Sequence, residues 1–283
     1  MTITGRGFIA GIAFAGVLAA GAVTAQADAL TDKLKAGEPI RIGFANEVPW
    51  AYPGDNGDPK GFVNAIATGV LEAMGAKTIE PVTTDWGGLI PGLQADRYDV
   101  ITGGMYIIKT RCENVNFSDP IGVFGDAFIV AKGNPKGIQT YQDIKDKGAV
   151  LATGAGFNIV EAAKREGIAE DKIMQVPGPT EILAAVKAGR ADAGGVTYFT
   201  ALNLAEQSGG TLDVTDPAKL PEWTLNWVGI AFRKADTDFL EAFNAALKDY
   251  IGSDAMMKAV EEYGYTKAQL PGDTTTEHAC ANR

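Results

Sequence analysis

Apolar positions in this chain fall into short runs separated by stretches of helical periodicity, and the alternation repeats along most of its length. Ile40, Ile42 and Phe44 alternate with Arg41 and Gly43, which predicts a first strand over 40–45. A helix is expected over 61–74, where Phe62, Ile66, Val70 and Leu71 share one face. Val82 and Thr83 end a second strand, and 86–95 reads as a helix. A third strand at 98–102 leads into Gly103 and Gly104, read as a turn. After the apolar run 128–132, the residues Gly133, Asn134 and Pro135 signal a loop. A second series then begins: strand 150–153, a helix from about Asn158, strand 173–176, helix 179–188, strand 191–196 and helix 198–207. One more strand at 227–232 precedes helices at 238–251 and 254–263.

Strands alternating with helices argue for an α/β protein with largely parallel sheets. Two such series, one nested in the other, imply two lobes joined by two crossings, expected near 131–134 and 226–232. Lobe 1 would then hold 28–131 and 227–283, and lobe 2 would hold 132–226. Ligands of open α/β sheets sit beyond the carboxyl ends of the strands, so the cleft between the lobes is the expected site.

The first 27 residues read as a secretory leader: Arg6, an apolar run of 16 residues over 8–23, and an A-x-A site at Ala25-Gln26-Ala27. That run falls short of the roughly 20 residues a bilayer-spanning helix needs. A mature chain starting near Asp28 is expected, with a retained anchor as the alternative. The leader carries one Arg and no acid, so its loss takes the formal net charge from −10 to −11. Such acidity argues against nucleic acid or an anionic membrane as partner. Export also bears on Cys112 and Cys280, the only cysteines. A disulfide between them would tie the C-terminus to the segment after Arg111, and two free thiols are the other possibility.

The residues exclude several chemistries. His278 is the single histidine, in a polar tail; Ser118, Ser208 and Ser253 sit in no nucleophile-elbow sequence; no cluster has metal-ligand spacing. Gly154-Ala155-Gly156-Phe157-Asn158-Ile159 begins like a dinucleotide fingerprint, but Ile159 replaces the last glycine and no Walker lysine follows. The turn retains only the general capacity of helix-start N–H groups to hold an anion. No cofactor is expected.

Positive signals cluster at strand ends. Arg111 lies five residues past Tyr106, just after the third strand, where two parallel donors suit a carboxylate. Trp50 follows Asn46-Glu47-Val48-Pro49 after the first strand, and Trp86 follows the second. Each aromatic alone is as well explained by core packing. Three at equivalent positions, beside Glu47 and Arg111, suggest a box for a cation with an acceptor for its N–H groups. A small solute bearing a delocalised or hindered cation and a carboxylate is implied.

The run from Tyr106 to Pro120, with Arg111 followed by Phe117-Ser118-Asp119-Pro120, resembles the arginine signature of the amino-acid-type periplasmic solute-binding proteins of ABC importers, family 3. The resemblance covers nearly all of the mature chain. It implies the type II periplasmic-binding fold, Arg111 gripping the ligand carboxylate, a periplasmic monomer, and delivery to an inner-membrane ABC permease. Amino-acid binders of this family usually carry an aspartate after the D-A-V strand of lobe 2, and here that place is Thr197. A primary ammonium would be left poorly paired there. The ectoine/hydroxyectoine-binding branch is more similar. It shares Asn46, Glu47, Pro49 and an aromatic at Trp50, the run Ile90-Pro91-Gly92-Leu93-Gln94-Ala95 with Arg97 and Asp99-Val100-Ile101, and a near match over Ile107 to Cys112. That likeness implies a ligand site of Glu47, Trp50, Trp86, Gly104, Tyr106, Arg111, Phe157, Asn158 and Thr197. Two of the aromatics are Trp where Phe or Tyr is usual, and Gly156-Phe157-Asn158 stands where a small hydroxyl residue is usual. A polar or basic amino acid as ligand, or a cyclohexadienyl-dehydratase-like activity with Glu47 as acid or base, are the alternatives to a compatible-solute binder.

Overall fold

The structure is a computed structural model that describes residues 1–2 and 28–283. The leader expected over 1–27 lies almost wholly outside the described residues.

In chain order the strands are β1 (Ile40–Phe44), β2 (Tyr52–Pro53), β3 (Pro59–Lys60), β4 (Ile79–Thr83), β5 (Val100–Tyr106), β6 (Asn116–Phe117), β7 (Gly122–Phe124), β8 (Asp126–Ala131), β9 (Leu151–Gly154), β10 (Ile173–Val176), β11 (Ala193–Thr197), β12 (Leu212–Val214) and β13 (Asn226–Phe232). They form two main sheets. The first runs β4-β1-β5-β13-β6, with β7 also on β13; the second runs β10-β9-β11-β8-β12. In each, the three strands reached by helical crossovers are parallel, and the strand entering from the other lobe is antiparallel: β13 on β5, and β8 on β11. This is the two-lobed type II periplasmic-binding architecture.

Each sheet is closed by its own core. In lobe 1, Ile40, Ile42 and Phe44 pack with Phe62, Ile66 and Val70 of helix Phe62–Ala73 and with Phe239 and Phe243 of helix Thr237–Tyr250. In lobe 2, Phe128, Leu151, Ile159, Ile182 and Val196 form the equivalent centre. The apolar faces read from the sequence are therefore the faces that meet the sheets, and their burial is what fixes the strand ends in place.

Three expectations are corrected. The first crossing does not lie at 131–134. β8 already pairs with β11 and β12, so the chain leaves lobe 1 at Gly125, between β7 and β8. The apolar run 128–132 reads equally well as a strand of either sheet, and only pairing decides. The second crossing lies at Leu225, just before β13, and Asn226 pairs with Phe124, so the two crossings run side by side. Gly103 and Gly104 do not form a turn; β5 continues through them to Tyr106. The polar tail around His278, for which no element was expected, forms the helix Thr276–Asn282.

Candidate functional site

The loop after β1 is folded into a tight turn. Glu47 N–H donates to the Ala51 carbonyl at 2.9 Å, and the Glu47 carbonyl accepts from Trp50 N–H at 2.8 Å and Ala51 N–H at 3.0 Å. The turn sets Glu47 and Trp50 on neighbouring positions facing β5. Trp50 is 2 % exposed and packs on Phe62 and Phe124, with ring centroids 4.8 and 4.5 Å away, and edge-on to Tyr106 at 6.0 Å. Gly104 has φ 80°, and a Cβ there would sit 2.5 Å from the Trp50 ring, so this position of β5 must be glycine for the indole to lie where it does.

Arg111 is not on an open loop but in the one-turn helix Lys109–Cys112. The helix is pinned from behind, because Cys112 is disulfide-bonded to Cys280 in the C-terminal helix, with Cα atoms 6.0 Å apart. Arg111 is 7 % exposed and donates from Nη1 to the Tyr106 carbonyl at 3.0 Å. Burial lowers its pKa to about 10, so it remains a cation at neutral pH. Its guanidinium carbon lies 5.5 Å from the Trp86 ring centroid.

All nine residues singled out in the sequence line one narrow cavity of about 20 Å³. Lobe 1 contributes Glu47, Trp50, Trp86, Gly104, Tyr106 and Arg111, and lobe 2 contributes Phe157, Asn158 and Thr197. Phe157 and Asn158 begin helix Asn158–Glu166; Thr197 caps helix Tyr198–Gln207. Trp50 and Tyr106 do double duty, belonging to the lobe 1 core as well as to the cavity wall. Trp50 Nε1 and the Tyr106 hydroxyl are buried and find no hydrogen-bond partner among the described residues. Both are donors available to a polar occupant.

Four contacts bridge the lobes at the cavity. The Gly156 carbonyl accepts from Arg111 Nη2 at 2.9 Å and from Trp86 Nε1 at 3.1 Å. Trp86 and Phe157 meet edge to face at 5.4 Å. The Thr200 hydroxyl donates to Glu47 Oε1 at 2.6 Å. The glycine turn at 154–156 thus faces lobe 1 with a carbonyl, and its Ala155 and Phe157 N–H groups bond within lobe 2, to Val176 and Gly154.

Sequence reasoning missed Thr200 and Asp126. Thr200 lies 153 residues from the acid it holds, one turn inside a helix. Asp126 is 1 % exposed and accepts from the Tyr141 hydroxyl at 2.8 Å and from Asn158 Nδ2 at 3.0 Å. An acid opening an otherwise apolar run, Asp126-Ala127-Phe128-Ile129-Val130, was the available signal. Asp126 also qualifies the inference drawn from Thr197: lobe 2 does hold a buried acid, on β8 directly across from Thr197 and bonded to Asn158. Burial pushes Glu47 up to about 7 against the opposing Thr200 hydrogen bond. Burial likewise pushes Asp126 up to about 7 against the hydrogen bonds from Asn158 and Tyr141. Each is poised to change charge near neutrality.

The family profile described as bacterial extracellular solute-binding proteins, family 3, matches residues 40–266. The chain belongs to that family. A relative described as a "Probable amino-acid ABC transporter periplasmic-binding protein" of Sinorhizobium fredii is 34 % identical over 270 residues, covering 93 % of this chain and 88 % of the relative. The L-cystine-binding protein of Escherichia coli K12 is 28 % identical, covering 91 % and 94 % of the two chains. Among solved structures, EhuB in complex with hydroxyectoine superposes with a TM-score of 0.81 at 30 % identity, covering 89 % of this chain and 98 % of EhuB. The two-lobed solute-binding fold described above is therefore shared with the family.

Proposed function

We propose that this solute-binding protein serves an ABC importer in the periplasm and captures a small zwitterion of the ectoine or hydroxyectoine type. The observation that carries the reading is the cavity's composition. A buried guanidinium and a buried carboxyl, Arg111 and Glu47, share one wall with the rings of Trp50, Tyr106 and Trp86. Arg111 would take the ligand carboxylate as a charge-assisted pair. Glu47 would accept from the N–H groups of the cation, whose face the aromatic rings attract by about 0.5–2 kcal/mol each. Trp86 already faces Arg111, so its part is to hold the guanidinium, which leaves Trp50 and Tyr106 as the cation's main aromatic neighbours. The structural likeness to hydroxyectoine-bound EhuB supports the same ligand class.

A second reading is favoured by one observation. Asp126 supplies an acid in lobe 2, and the similar proteins of Sinorhizobium fredii and Escherichia coli are named for amino acids or cystine. A primary amino acid would then present its ammonium toward Asn158 and Glu47.

Titration calorimetry with ectoine, hydroxyectoine, glycine betaine, L-arginine, L-histidine and L-cystine tests the choice. Tight binding of ectoine or hydroxyectoine, with weak binding of the amino acids, is expected. The reverse order overturns the proposal. Turnover of prephenate or arogenate would instead assign Glu47 an acid–base role.

A further inference from the structure

Asp126 is the first residue of β8, one step past the crossing from lobe 1. Its two carboxylate oxygens are engaged separately, Oδ2 by the Tyr141 hydroxyl and Oδ1 by Asn158 Nδ2. Both partners are neutral. Oδ1 accepts from Asn158, so the carboxamide turns its amino group toward Asp126 whether or not the other carboxyl oxygen carries a proton. A carboxamide has two polar ends, and with Nδ2 committed its Oδ1 points elsewhere. Asn158 lines the Glu47–Arg111 cavity, and it also lines a larger hollow on its other side, where Asp126, Arg165 and Trp223 form part of the wall. It stands as a partition between the two, with its donor end held by Asp126.

We propose that Asp126 is a positioning residue that fixes Asn158 as a hydrogen-bond acceptor toward the ligand, so that lobe 2 selects cations bearing N–H donors over quaternary cations of similar size. The proposal rests on the zwitterion reading above and adds the feature of the cation that lobe 2 reads. Glu47 on lobe 1 and Asn158 Oδ1 on lobe 2 then form a pair of acceptors. A trimethylated nitrogen can satisfy neither, and a buried acceptor left without a donor weakens binding by about tenfold or more. Asp126 and Asn158 belong to the same lobe, so their bond is kept whether the lobes are apart or together, and the selectivity is set before closure.

Calorimetric titrations of the wild-type protein, Asp126→Asn and Tyr141→Phe test this, with ectoine and L-arginine as N–H-bearing probes and glycine betaine as the quaternary probe. The asparagine variant is nearly isosteric but can donate as well as accept, so Asn158 is no longer held in one sense. Asp126→Asn should weaken whichever N–H-bearing probe the wild type binds by about tenfold, and change glycine betaine by less than about twofold. Tyr141→Phe disturbs the same carboxylate without touching Asn158 and should leave the ratio between probes unchanged. Melting of each ligand-free variant separates loss of fold from loss of selectivity. If Asp126→Asn does not fold, Asn158→Ala makes the same comparison from the other end of the bond. Equal weakening of all probes, no weakening, or a ratio shifted as much by Tyr141→Phe would overturn the assignment. The preferred wild-type ligand is read from the wild-type titrations alone. A preference for L-arginine would therefore defeat the zwitterion reading while the variants still decide the role of Asp126.

Discussion

Lobe 1 brings to the cavity a carboxyl, a guanidinium and three aromatic rings, and most are braced from behind: Trp50 by Phe62 and Phe124, Arg111 by the Tyr106 carbonyl and the neighbouring disulfide. Lobe 2 brings Phe157, Asn158 and Thr197, with Thr200 behind them, all uncharged and all in the first turns of two helices. One wall is a preformed recognition surface rooted in a hydrophobic core. The other is a set of helix starts that arrive with domain closure, and its single acid is bonded to Asn158. The contrast gives lobe 1 the reading of the ligand's charges and leaves lobe 2 uncharged groups, Asn158 among them, to complete the site. Lobe 1 substitutions should change which solutes bind, and lobe 2 substitutions at the bridging contacts should change how well every solute binds.

Arg111→Ala should break the lobe 1 wall most severely. Removing the cationic partner of a buried carboxylate is expected to weaken ligand binding by about 2–5 kcal/mol, measured by calorimetry. Ligand-free melting should change little, and a melting loss that matches the affinity loss would make the arginine structural instead.

Glu47→Gln comes next, with a loss of about 1.5–3 kcal/mol for a cation-bearing ligand. It also carries a pH signature. Glu47 and Asp126 are both held near 7, above ordinary carboxyl values of about 4. A carboxyl with a raised folded pKa stabilises the fold at low pH, and that contribution is lost as pH rises from about 4 through about 7. Ligand-free melting temperature should therefore fall across that window. Affinity should move the opposite way, rising through about 7 as Glu47 ionises, and Glu47→Gln should flatten most of that rise. An affinity that is flat in the wild type would remove Glu47 from the ligand.

The aromatic wall gives smaller effects. Trp86→Ala should weaken binding by about 0.5–2 kcal/mol, and Trp86→Phe by less, because a ring face remains for Arg111. Thr200→Val sharpens the comparison from the other side. It removes a cross-lobe bond to Glu47 and should weaken all ligands alike by about 0.5–1.5 kcal/mol. A change confined to one ligand would place Thr200 in recognition and blur the division between the walls.

How much of this was legible in the sequence follows from the same contrast. The lobe 1 site residues stand in or just past strand carboxyl ends, where the α/β pattern tells what faces the cleft, so Glu47, Trp50, Trp86, Tyr106 and Arg111 could be named from spacing. The nested strand–helix series likewise revealed two lobes. The first crossing was misplaced because an apolar strand does not state its partners, and β8 joins lobe 2 only through pairing with β11 and β12. Gly104 read as a turn because sequence does not show the Trp50 ring lying across it. Asp126 opens a strand rather than ending one, and its partner Asn158 is 32 residues away; no local period reports such a bond.

The Gly156 carbonyl has a consequence for the geometry of binding. It lies on lobe 2 and holds the outer amino group of Arg111 and the indole N–H of Trp86 at once. Two of the five guanidinium N–H groups are engaged, one by this carbonyl and one by the Tyr106 carbonyl, which leaves three for a ligand. A carboxylate can take those without displacing the backbone, so the oxygen that ties the lobes together also fixes the plane in which a forked partner must approach.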